Sequence, residues 1–321
     1  MSSLIKWFSY LLIILVLFSC SKKPTNSQGG PEPIPLPRFF DHPAWHPQGQ
    51  WIAAEHSDSV DIDGDGKPDR GFAGIWLVNS SNGEKQPLIS GFGLPAWSPD
   101  GKKLALMRTA QIFTVEVTSL EPAQVDTNTL KQLTFQGNNF YPSWSPDGEW
   151  IAFDSNLDDP VGMYVIWLIK SDGSSRKDIS IHGTGEWRMP SWTPDQKVVH
   201  IRFIGVTYPE IFVMDSTGNN ARRVTVRSDD SELNPKVSSK HQMVFSSVPR
   251  KGYPTICTIH LDGTGFRQLT NGPDYRPAWS PDGERIVFLH WNFLEEVPGN
   301  GQLWIMDANG SNKRQLTFDG W

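Results

Sequence analysis

From residue 39 onward, apolar and polar residues alternate along short segments, and turn sequences separate these segments at regular intervals. Segments such as "EWIAFDS" and "ERIVFLH" alternate in the way that strands of a packed sheet do. No segment after residue 20 shows apolar residues at helical spacing. The pattern therefore predicts an all-β fold built from many short strands.

One turn sequence recurs along the chain: "PAWSPDG" occupies residues 95–101 and again residues 277–283, and related segments occur between and around them. The prolines that open the six copies are Pro43, Pro95, Pro142, Pro190, Pro235 and Pro277. Successive copies are 52, 47, 48, 45 and 42 residues apart, and the fifth copy has lost its tryptophan and its turn sequence. Proline suits the first central position of such a turn, aspartate the second, and glycine the left-handed position that closes a hairpin.

Each repeated unit is predicted to supply four strands. The first strand carries a tryptophan in five of the six units, namely Trp45, Trp97, Trp144, Trp192 and Trp279. A period in the forties is typical of the four-stranded blades of β-propellers, which bury their faces against one another around an axis. Residues 39–321 number 283, which is about 47 per blade, so we expect one six-bladed β-propeller of antiparallel blades. The repeat does not decide whether the ring closes with or without an exchanged strand.

The repeat resembles that of the TolB-type β-propeller family, a WD-like repeat. The resemblance is carried by residues 142–155 with 167–181, and by residues 277–288 with 303–318. It extends over nearly all of residues 43–318 and implies the propeller fold. TolB itself looks like a protein with an extra N-terminal α/β domain, and in that place we expect only the tether in this chain. The resemblance therefore implies the fold and not a role in the Tol–Pal system.

The N-terminus has the features of a bacterial lipoprotein. Lys6 precedes an apolar run, Leu11–Phe18, that is too short to span a bilayer and suits a signal peptide. The following "LFSC" resembles a lipobox ending at Cys20. We expect residues 1–19 to be a signal peptide, Cys20 to be lipidated, and the proline-rich residues 20–38 to form a tether. An uncleaved N-terminal anchor is the alternative. The expected location is the cell envelope, at the outer membrane and facing the periplasm or the exterior.

Charge and cysteine content narrow the possible functions. The net charge of −6 gives no basic surface, which argues against nucleic acid as a partner. If Cys20 carries lipid, Cys257 is the other cysteine and no intramolecular disulfide can form. Cys257 lies in the strand-like segment "TICTIH", which indicates a buried small side chain rather than a nucleophile.

The segment "DSVDIDGDGKPDRG" in the first unit resembles a calcium-binding loop. The candidate ligands are the side chains of Asp61, Asp63, Asp65 and Asp69 and the carbonyl of Lys67. Gly66 falls at the position that needs a sharp turn, whereas Phe72 stands where an EF-hand has a glutamate. We expect one structural Ca²⁺, with Glu55 or Asp58 able to complete its ligands. A solvated acidic loop is the alternative.

The direction of the strands sorts the loops onto two faces. The "SPDG" turns lie on one face, here called the turn face. The loops after each second strand, and the connections into each opening proline, lie on the other face, here called the mouth face. The mouth-face residues predicted to bind a ligand or partner are Tyr141, Trp187, Arg188, Tyr208, Arg250, Tyr275, Arg276 and Trp291. Alternatively, the aromatic residues among them only cap the blades.

Evidence for catalysis in the sequence is sparse. There is no G-x-S-x-G, H-E-x-x-H or C-x-x-C motif, and each of the eight histidines is interpreted as structural. We expect a monomeric, membrane-tethered binding or scaffold protein. The alternative is a hydrolase or lyase that acts on polysaccharide or peptide through funnel carboxylates such as Asp154, Asp158 and Glu210. A sensor or accessory subunit is a third possibility.

Overall fold

The computed structural model describes residues 39–60, 70–158, 162–180, 185–204, 208–225, 230–291 and 301–318. In chain order the strands are β1 Phe40–Trp45, β2 Trp51–Val60, β3 Arg70–Asn79, β4 Lys85–Ser90, β5 Gly93–Trp97, β6 Lys103–Arg108, β7 Gln111–Leu120, β8 Ala123–Gln132, β9 Asn139–Trp144, β10 Trp150–Ser155, β11 Val165–Lys170, β12 Arg176–Asp178, β13 Glu186–Trp192, β14 Lys197–Phe203, β15 Glu210–Asp215, β16 Arg222–Arg223, β17 Asp230–Val237, β18 Gln242–Pro249, β19 Thr255–His260, β20 Arg267–Gln268, β21 Asp274–Trp279, β22 Arg285–Trp291, β23 Gly301–Asp307 and β24 Arg314–Gln315. No helix within these ranges is long and apolar enough to cross a membrane.

The strands form six antiparallel sheets, and each sheet uses four strands that are consecutive in the chain. The first strand of each sheet contacts the first strands of the two neighbouring sheets, so β1, β5, β9, β13, β17 and β21 surround a common axis. The protein is therefore a six-bladed β-propeller, and the predicted fold class is confirmed. The sheets are blades 1 to 6 in chain order.

Six apolar clusters hold the ring together, and each is shared by two neighbouring blades. Between blades 6 and 1, for example, Ile52 and Val78 pack with Val287 and Ile305, all nearly or fully buried. A single blade would leave these side chains in water, so the apolar alternation of the second and third strands is satisfied only in the ring.

The tryptophan of each first strand packs against the preceding blade. Trp45 Nε1 donates a hydrogen bond to the carbonyl of Ala278 (3.2 Å), and Trp192 Nε1 donates to the carbonyl of Ser143 (3.0 Å). In blade 5 the equivalent residue is Val237, which packs against the cluster between blades 4 and 5. The recurring tryptophans are thus core residues, as the repeat predicted.

The "SPDG" turn is held by its own side chains. In blade 2 the Gly101 N–H donates to the carbonyl of Ser98 (2.9 Å), and Gly101 has a φ of +73°. The Ser98 hydroxyl donates to Asp100 Oδ1 (2.6 Å) and accepts from the Lys103 N–H (2.9 Å). Blades 3, 4 and 6 repeat the hydroxyl–aspartate contact at 2.5–2.6 Å. The recurring sequence therefore encodes a self-contained turn.

The ring closes between blades 1 and 6 without exchanging a strand within the described residues. The Trp45–Ala278 hydrogen bond crosses this seam. The Arg314 guanidinium also crosses it and donates to the carbonyls of Ser80 and Ser81 (3.3 and 3.2 Å). Side-chain packing and these hydrogen bonds therefore replace the shared sheet that closes many other rings.

Two hairpins are longer than the others. β2 and β3 pair from Trp51–Asn79 out to Val60–Arg70 on the mouth face, so residues 61–69 connect the ends of a ten-residue ladder. On the turn face, the tip of the β7–β8 hairpin reaches blade 1. There the Gln86 amide donates to the Leu120 carbonyl (2.7 Å) and accepts from the Ala123 N–H (2.8 Å). This contact covers part of an outer edge that would otherwise be open to pairing.

Candidate functional site

Every first strand bends at the residue before its proline. These six residues have left-handed backbone conformations and are His42, Leu94, Tyr141, Met189, Asn234 and Arg276, with φ between +45° and +56°. At each of them the register between the first and second strands shifts by a bulge. The following proline disfavours a right-handed helical conformation, and a bulge re-aims the side chain. Three of the six side chains belong to a charged cluster at the axis.

Blade 1 supplies the first part of this cluster. His42 Nδ1 lies 2.6 Å from Glu55 Oε1, and the same oxygen accepts a hydrogen bond from the Leu94 N–H of blade 2 (2.9 Å). Burial raises the pKa of Glu55, but His42 and these hydrogen bonds outweigh it and hold the pKa below its usual value. Glu55 thus orients the imidazole and ties blade 1 to blade 2.

Blades 3 and 4 supply a second acid–base pair. Asp154 is fully buried, and its Oδ2 accepts from Arg188 Nε (3.3 Å) and from the Met189 N–H (2.9 Å). Burial raises the pKa of Asp154 to about 6, against the opposing effect of the Arg188 charge. The Arg188 guanidinium also lies 4.0 Å from the ring centroid of Tyr164, a cation–π contact.

Blade 6 supplies the third part. Arg276 forms an ion pair with the buried carboxylate of Asp41 in blade 1, and its backbone N–H donates to the Ser246 hydroxyl of blade 5 (3.0 Å). Arg276 Nη1 also lies 3.5 Å from His42 Nδ1. The arginine therefore joins three blades through its side chain and its backbone.

Tyr141 of blade 3 completes the cluster. Its ring lies 5.9 Å from that of His42 in blade 1, edge to face, although blade 2 separates these blades along the ring. Burial raises the pKa of Tyr141 to about 12, so its hydroxyl stays protonated at neutral pH. We define the axial cluster as Asp41, His42, Glu55, Tyr141, Asp154, Arg188 and Arg276.

The eight predicted surface residues fall into separate groups. Tyr141, Arg188 and Arg276 belong to the axial cluster. Tyr208 and Arg250 form a pair near the rim, in which Arg250 Nε donates to the tyrosine hydroxyl (2.6 Å). They do not all form one continuous surface.

The remaining three predicted residues pack inward. Tyr275 and Trp291 pack against the apolar cluster between blades 6 and 1, as the blade-capping alternative expects. Trp187 is fully buried and stacked on His200, with ring centroids 4.5 Å apart. The prediction that Trp187 lies on an exposed surface is therefore wrong. It belongs to β13 rather than to a loop, and strand alternation turns it toward Ile166 and Val198.

The predicted calcium ligands Asp61, Asp63, Asp65, Lys67 and Asp69 lie outside the described residues, as does Cys20. In the part of the chain that is described, no group of three or more histidine, cysteine or acidic side chains could hold a metal ion. Of the two side chains considered to complete the calcium site, Glu55 is engaged in the axial cluster and Asp58 pairs with Lys85 (2.7 Å).

The sequence interpretation missed Asp41 and His42, and it considered Glu55 only as a calcium ligand. A signal for one of them was present, because His42, Tyr141 and Arg276 all directly precede the proline that opens a repeat. Of the proposed funnel carboxylates, Asp154 is in the axial cluster, whereas Glu210 forms an ion pair with Arg223. The axial cluster therefore contains a His–acid pair and buried carboxylates, the chemistry of general acid–base sites, but its charges also tie the blades to each other.

Exposed apolar side chains distinguish the mouth face from the turn face. Five large apolar side chains are exposed among the described residues, and four of these lie on the mouth face: Phe135, Ile204, Tyr253 and Phe318. Phe135 and Phe318 are 71% and 74% exposed and follow the fourth strands of blades 2 and 6 at equivalent "QLTF" positions. Phe135 lies in the connection from blade 2 to blade 3, and Phe318 follows the last strand of blade 6.

Comparison with known proteins agrees with this architecture. An uncharacterized protein of Agrobacterium fabrum is 27% identical over 234 residues, covering 71% of this chain and 76% of that protein. A TolB homolog of Chlorobium luteolum is 28% identical over 228 residues, covering 69% of this chain, which spans about half (48%) of that relative. The crystal structure of TolB from Acinetobacter baumannii matches 86% of this chain and 62% of its own, with a TM-score of 0.63 and 18% identity, a likeness of fold.

A family model describes the repeat itself. The PD40 model, the TolB beta propeller domain, matches residues 78–320, which is more than half of the chain. That range begins in β3 and contains every later strand of the ring. The chain therefore belongs to the TolB β-propeller domain family.

Proposed function

We propose that this protein is a cell-envelope recognition module that binds a protein partner or ligand through its mouth face. The observation that carries the proposal is the presence there of four of the five large exposed apolar side chains in the described residues. Exposed apolar and aromatic side chains grouped on one face are typical of interaction surfaces. The kinship with proteins named TolB supports a place in the envelope.

The test compares capture of envelope proteins by matched variants. Phe135→Ser/Phe318→Ser removes the two most exposed mouth-face rings, and Phe266→Ser removes an exposed ring that lies before β20, away from that face. Purified wild-type and variant proteins are immobilised and exposed to solubilised native envelopes, and bound proteins are quantified by mass spectrometry. We expect one partner to be enriched by the wild type and by Phe266→Ser but lost with the double variant. Equal capture by all three proteins would reject the mouth face as the binding surface.

Anchoring through lipid on Cys20 is part of the proposal. The apolar run, the "LFSC" sequence and the proline-rich residues 20–38 support it. Mass spectrometry of the N-terminal peptide from membrane-extracted protein should find a lipidated Cys20 as the first residue. A chain that retains Met1, or an unmodified Cys20, contradicts the anchor.

A structural calcium ion at residues 61–69 is also part of the proposal. The ladder of β2 with β3 supports it, because a loop that joins two paired strand ends can be fixed by one ion with alternate carboxylate ligands. Chelator should lower the melting temperature of the wild type and leave that of Asp63→Ala/Asp65→Ala unchanged. An equal response of the two proteins would contradict calcium binding.

The His42–Glu55 pair favours a second candidate function, hydrolysis or lyase chemistry at the axis. His42 Nε2 is buried and has no hydrogen-bond partner among the described residues, while Nδ1 faces the carboxylate at 2.6 Å, as in a general base oriented by an acid. The test is turnover of a panel of polysaccharides and peptides by wild type and His42→Gln. Turnover that the substitution abolishes supports an enzyme, and no turnover by the wild type rejects it for that panel.

A further inference from the structure

A cavity of about 390 Å³ lies on one flank of blade 5. All four strands of this blade contribute to its lining, through Asp230 of β17, Ser247 of β18, Thr255 and Cys257 of β19 and Gln268 of β20. Thr255 pairs with Ser247 and Cys257 pairs with Gln268, so these side chains project from the same side of the sheet. Cys257 packs in the apolar cluster between blades 4 and 5, so this side faces blade 4. The volume is within the range of about 300–1,000 Å³ that is typical of small-molecule sites.

Two aromatic rings also line this cavity. Tyr253 and Phe266 are 53% and 36% exposed, whereas Ser247 and Cys257 are buried and form its floor. The Phe266 ring packs near that of Phe245 in β18, with ring centroids 6.4 Å apart. Tyr253 lies in the connection from β18 to β19 on the mouth face, so the cavity extends from the mouth-face end of the blade to Phe266 before β20. Exposed aromatic rings beside a buried floor offer an apolar surface to a ligand.

Two amide side chains in the lining are held as a pair. Gln268 Nε2 donates hydrogen bonds to Asn271 Oδ1 and to the carbonyl of Thr270, both at 2.9 Å. Gln268 Oε1 then remains as an acceptor and Asn271 Nδ2 as a donor, and neither makes a hydrogen bond to another described residue. Both side chains are exposed. A donor and an acceptor on neighbouring amides suit two adjacent hydroxyl groups of a ligand, because a hydroxyl can both donate and accept.

Charge restricts the class of ligand. Among the described residues that line the cavity, Asp230 carries the one charge, and its Oδ2 accepts a hydrogen bond from the Ser247 hydroxyl (3.3 Å). No lysine, arginine or histidine is among these residues, so a phosphate or carboxylate ligand would meet no counter-charge from them. A wholly apolar ligand would displace water from the amides and hydroxyls without replacing its hydrogen bonds. The lining therefore suits a neutral ligand that is rich in hydroxyl groups.

We propose that this cavity of blade 5 binds a neutral sugar residue of a saccharide. A sugar ring carries C–H groups on its faces, which pack on aromatic rings, and hydroxyl groups at its edge, which bond to amides and carboxylates. Tyr253 and Phe266 supply the aromatic surface, and the amides of Gln268 and Asn271 bond to two adjacent hydroxyls. The inference rests on the cavity and its lining, and it does not depend on the protein partner proposed for the mouth face.

The experiment measures binding of three neutral probes, maltose, cellobiose and diacetylchitobiose, to the full-length protein. Isothermal titration gives the affinity, and saturation-transfer NMR shows which protons of the sugar contact the protein. We expect at least one probe to bind saturably, with the strongest transfer to C–H protons on one face of a ring. Tyr253→Ala and Phe266→Ala should each weaken its binding about tenfold or more, because each removes a ring that the sugar packs on. Asn271→Ala removes an amide donor and should weaken binding of the same probe.

The matched control is Phe318→Ala, which removes a phenylalanine that is 74% exposed and lies outside the cavity, and it should bind the probe as the wild type does. Phe135→Ser/Phe318→Ser, the variant that tests the mouth-face partner, should also bind the sugar, so failure of one proposal is distinguishable from failure of the other. The proposal is overturned if no probe binds saturably, or if the three cavity variants bind as the wild type does. It is also overturned if choline, a cation that suits aromatic rings beside a carboxylate, binds at these residues and no sugar does.

Discussion

Left-handed backbone conformations occupy fixed positions in every repeat of this protein. The closing residue of the "SPDG" turn is glycine in blades 1, 2, 3 and 6, but Gln196 in blade 4 and His241 in blade 5, with φ of +64° and +61°. Both keep the turn hydrogen bond, to the carbonyls of Thr193 (3.1 Å) and Ser238 (3.0 Å). The turn geometry thus persists in the two blades that lack the glycine, and there the residue has the steric cost of a Cβ in a left-handed conformation.

We predict that Gln196→Gly stabilises the protein by about 1 kcal/mol, since glycine adopts this conformation without the steric cost of a Cβ. The measurement is the free energy of unfolding in urea. The control is Gln50→Gly, which removes the same side chain from an exposed turn residue whose φ is not positive and should lower stability. If Gln196→Gly is less stable than the wild type, the glutamine side chain stabilises the protein by more than its left-handed backbone conformation costs.

His200 should make stability depend on pH. Its imidazole is fully buried between Trp187 and Phe212, and burial lowers the pKa of His200 to about 3. Below pH 6.5 the unfolded chain therefore binds a proton that the folded chain does not. The free energy of unfolding should fall by about 1.4 kcal/mol per pH unit from this residue, until the pH approaches its folded pKa.

Urea unfolding at pH 7 and pH 5 measures this effect, and His200→Phe should lose less stability between the two values than the wild type. Asp154 acts in the opposite direction: its pKa is raised to about 6, so its contribution to stability increases as the pH falls below that value. It is present in both proteins and does not affect the comparison. If the wild type and His200→Phe lose equal unfolding free energy between pH 7 and pH 5, the pH dependence does not come from His200.

At the scale of strands and blades, the sequence predicted the features that all repeats share and missed the residues that differ from blade to blade. The turn, the core tryptophans and the four-strand unit each recur, so their periodicity identified them. The axial cluster consists of single residues such as His42 and Glu55 that differ from blade to blade, and their proximity arises only when the ring closes. Trp187 was misassigned for a related reason, because β13 begins at Glu186, earlier than the loop-like sequence before it suggested.

Buried ion pairs and hydrogen bonds between neighbouring blades should contribute strongly to stability. We predict that Asp154→Ala costs about 3 kcal/mol or more, because it leaves the Arg188 charge and the Met189 N–H without their buried acceptor. The measurement is the free energy of unfolding. Glu149→Ala, which breaks the exposed Lys170–Glu149 pair of blade 3, is the control and should cost less than about 1 kcal/mol. Similar losses for the two variants would contradict a structural role for the buried pair.

The seam between blades 1 and 6 is the feature that concerns the whole ring. Gly83 of blade 1 lies against it, and a Cβ added there would stand 1.9 Å from the Leu316 carbonyl oxygen of blade 6. Gly91 has almost the same φ, +76° against +77°, but no atom lies within 4 Å of its added Cβ. The two glycines therefore separate the cost of backbone strain from the cost of disturbing the seam.

Gly83→Ala should destabilise the protein by at least about 1 kcal/mol more than Gly91→Ala, since both carry the strain of a left-handed alanine and only the first meets the opposite blade. Unfolding free energies measure the difference. Amide hydrogen exchange should increase at β1 and β24 in Gly83→Ala alone. If exchange rises equally in all blades, the seam is no weaker than the other interfaces.

Because no strand is shared across the seam in the part of the chain that the structure describes, every blade is one uninterrupted stretch of chain with its own turn and its own ladder. Duplicating or deleting such a stretch in the gene would add or remove a whole blade without re-pairing any strand. Rings of this kind can thus change in size during evolution by single in-frame events. The same independence lets one blade, such as the fifth, diverge in sequence while the other five keep the ring intact.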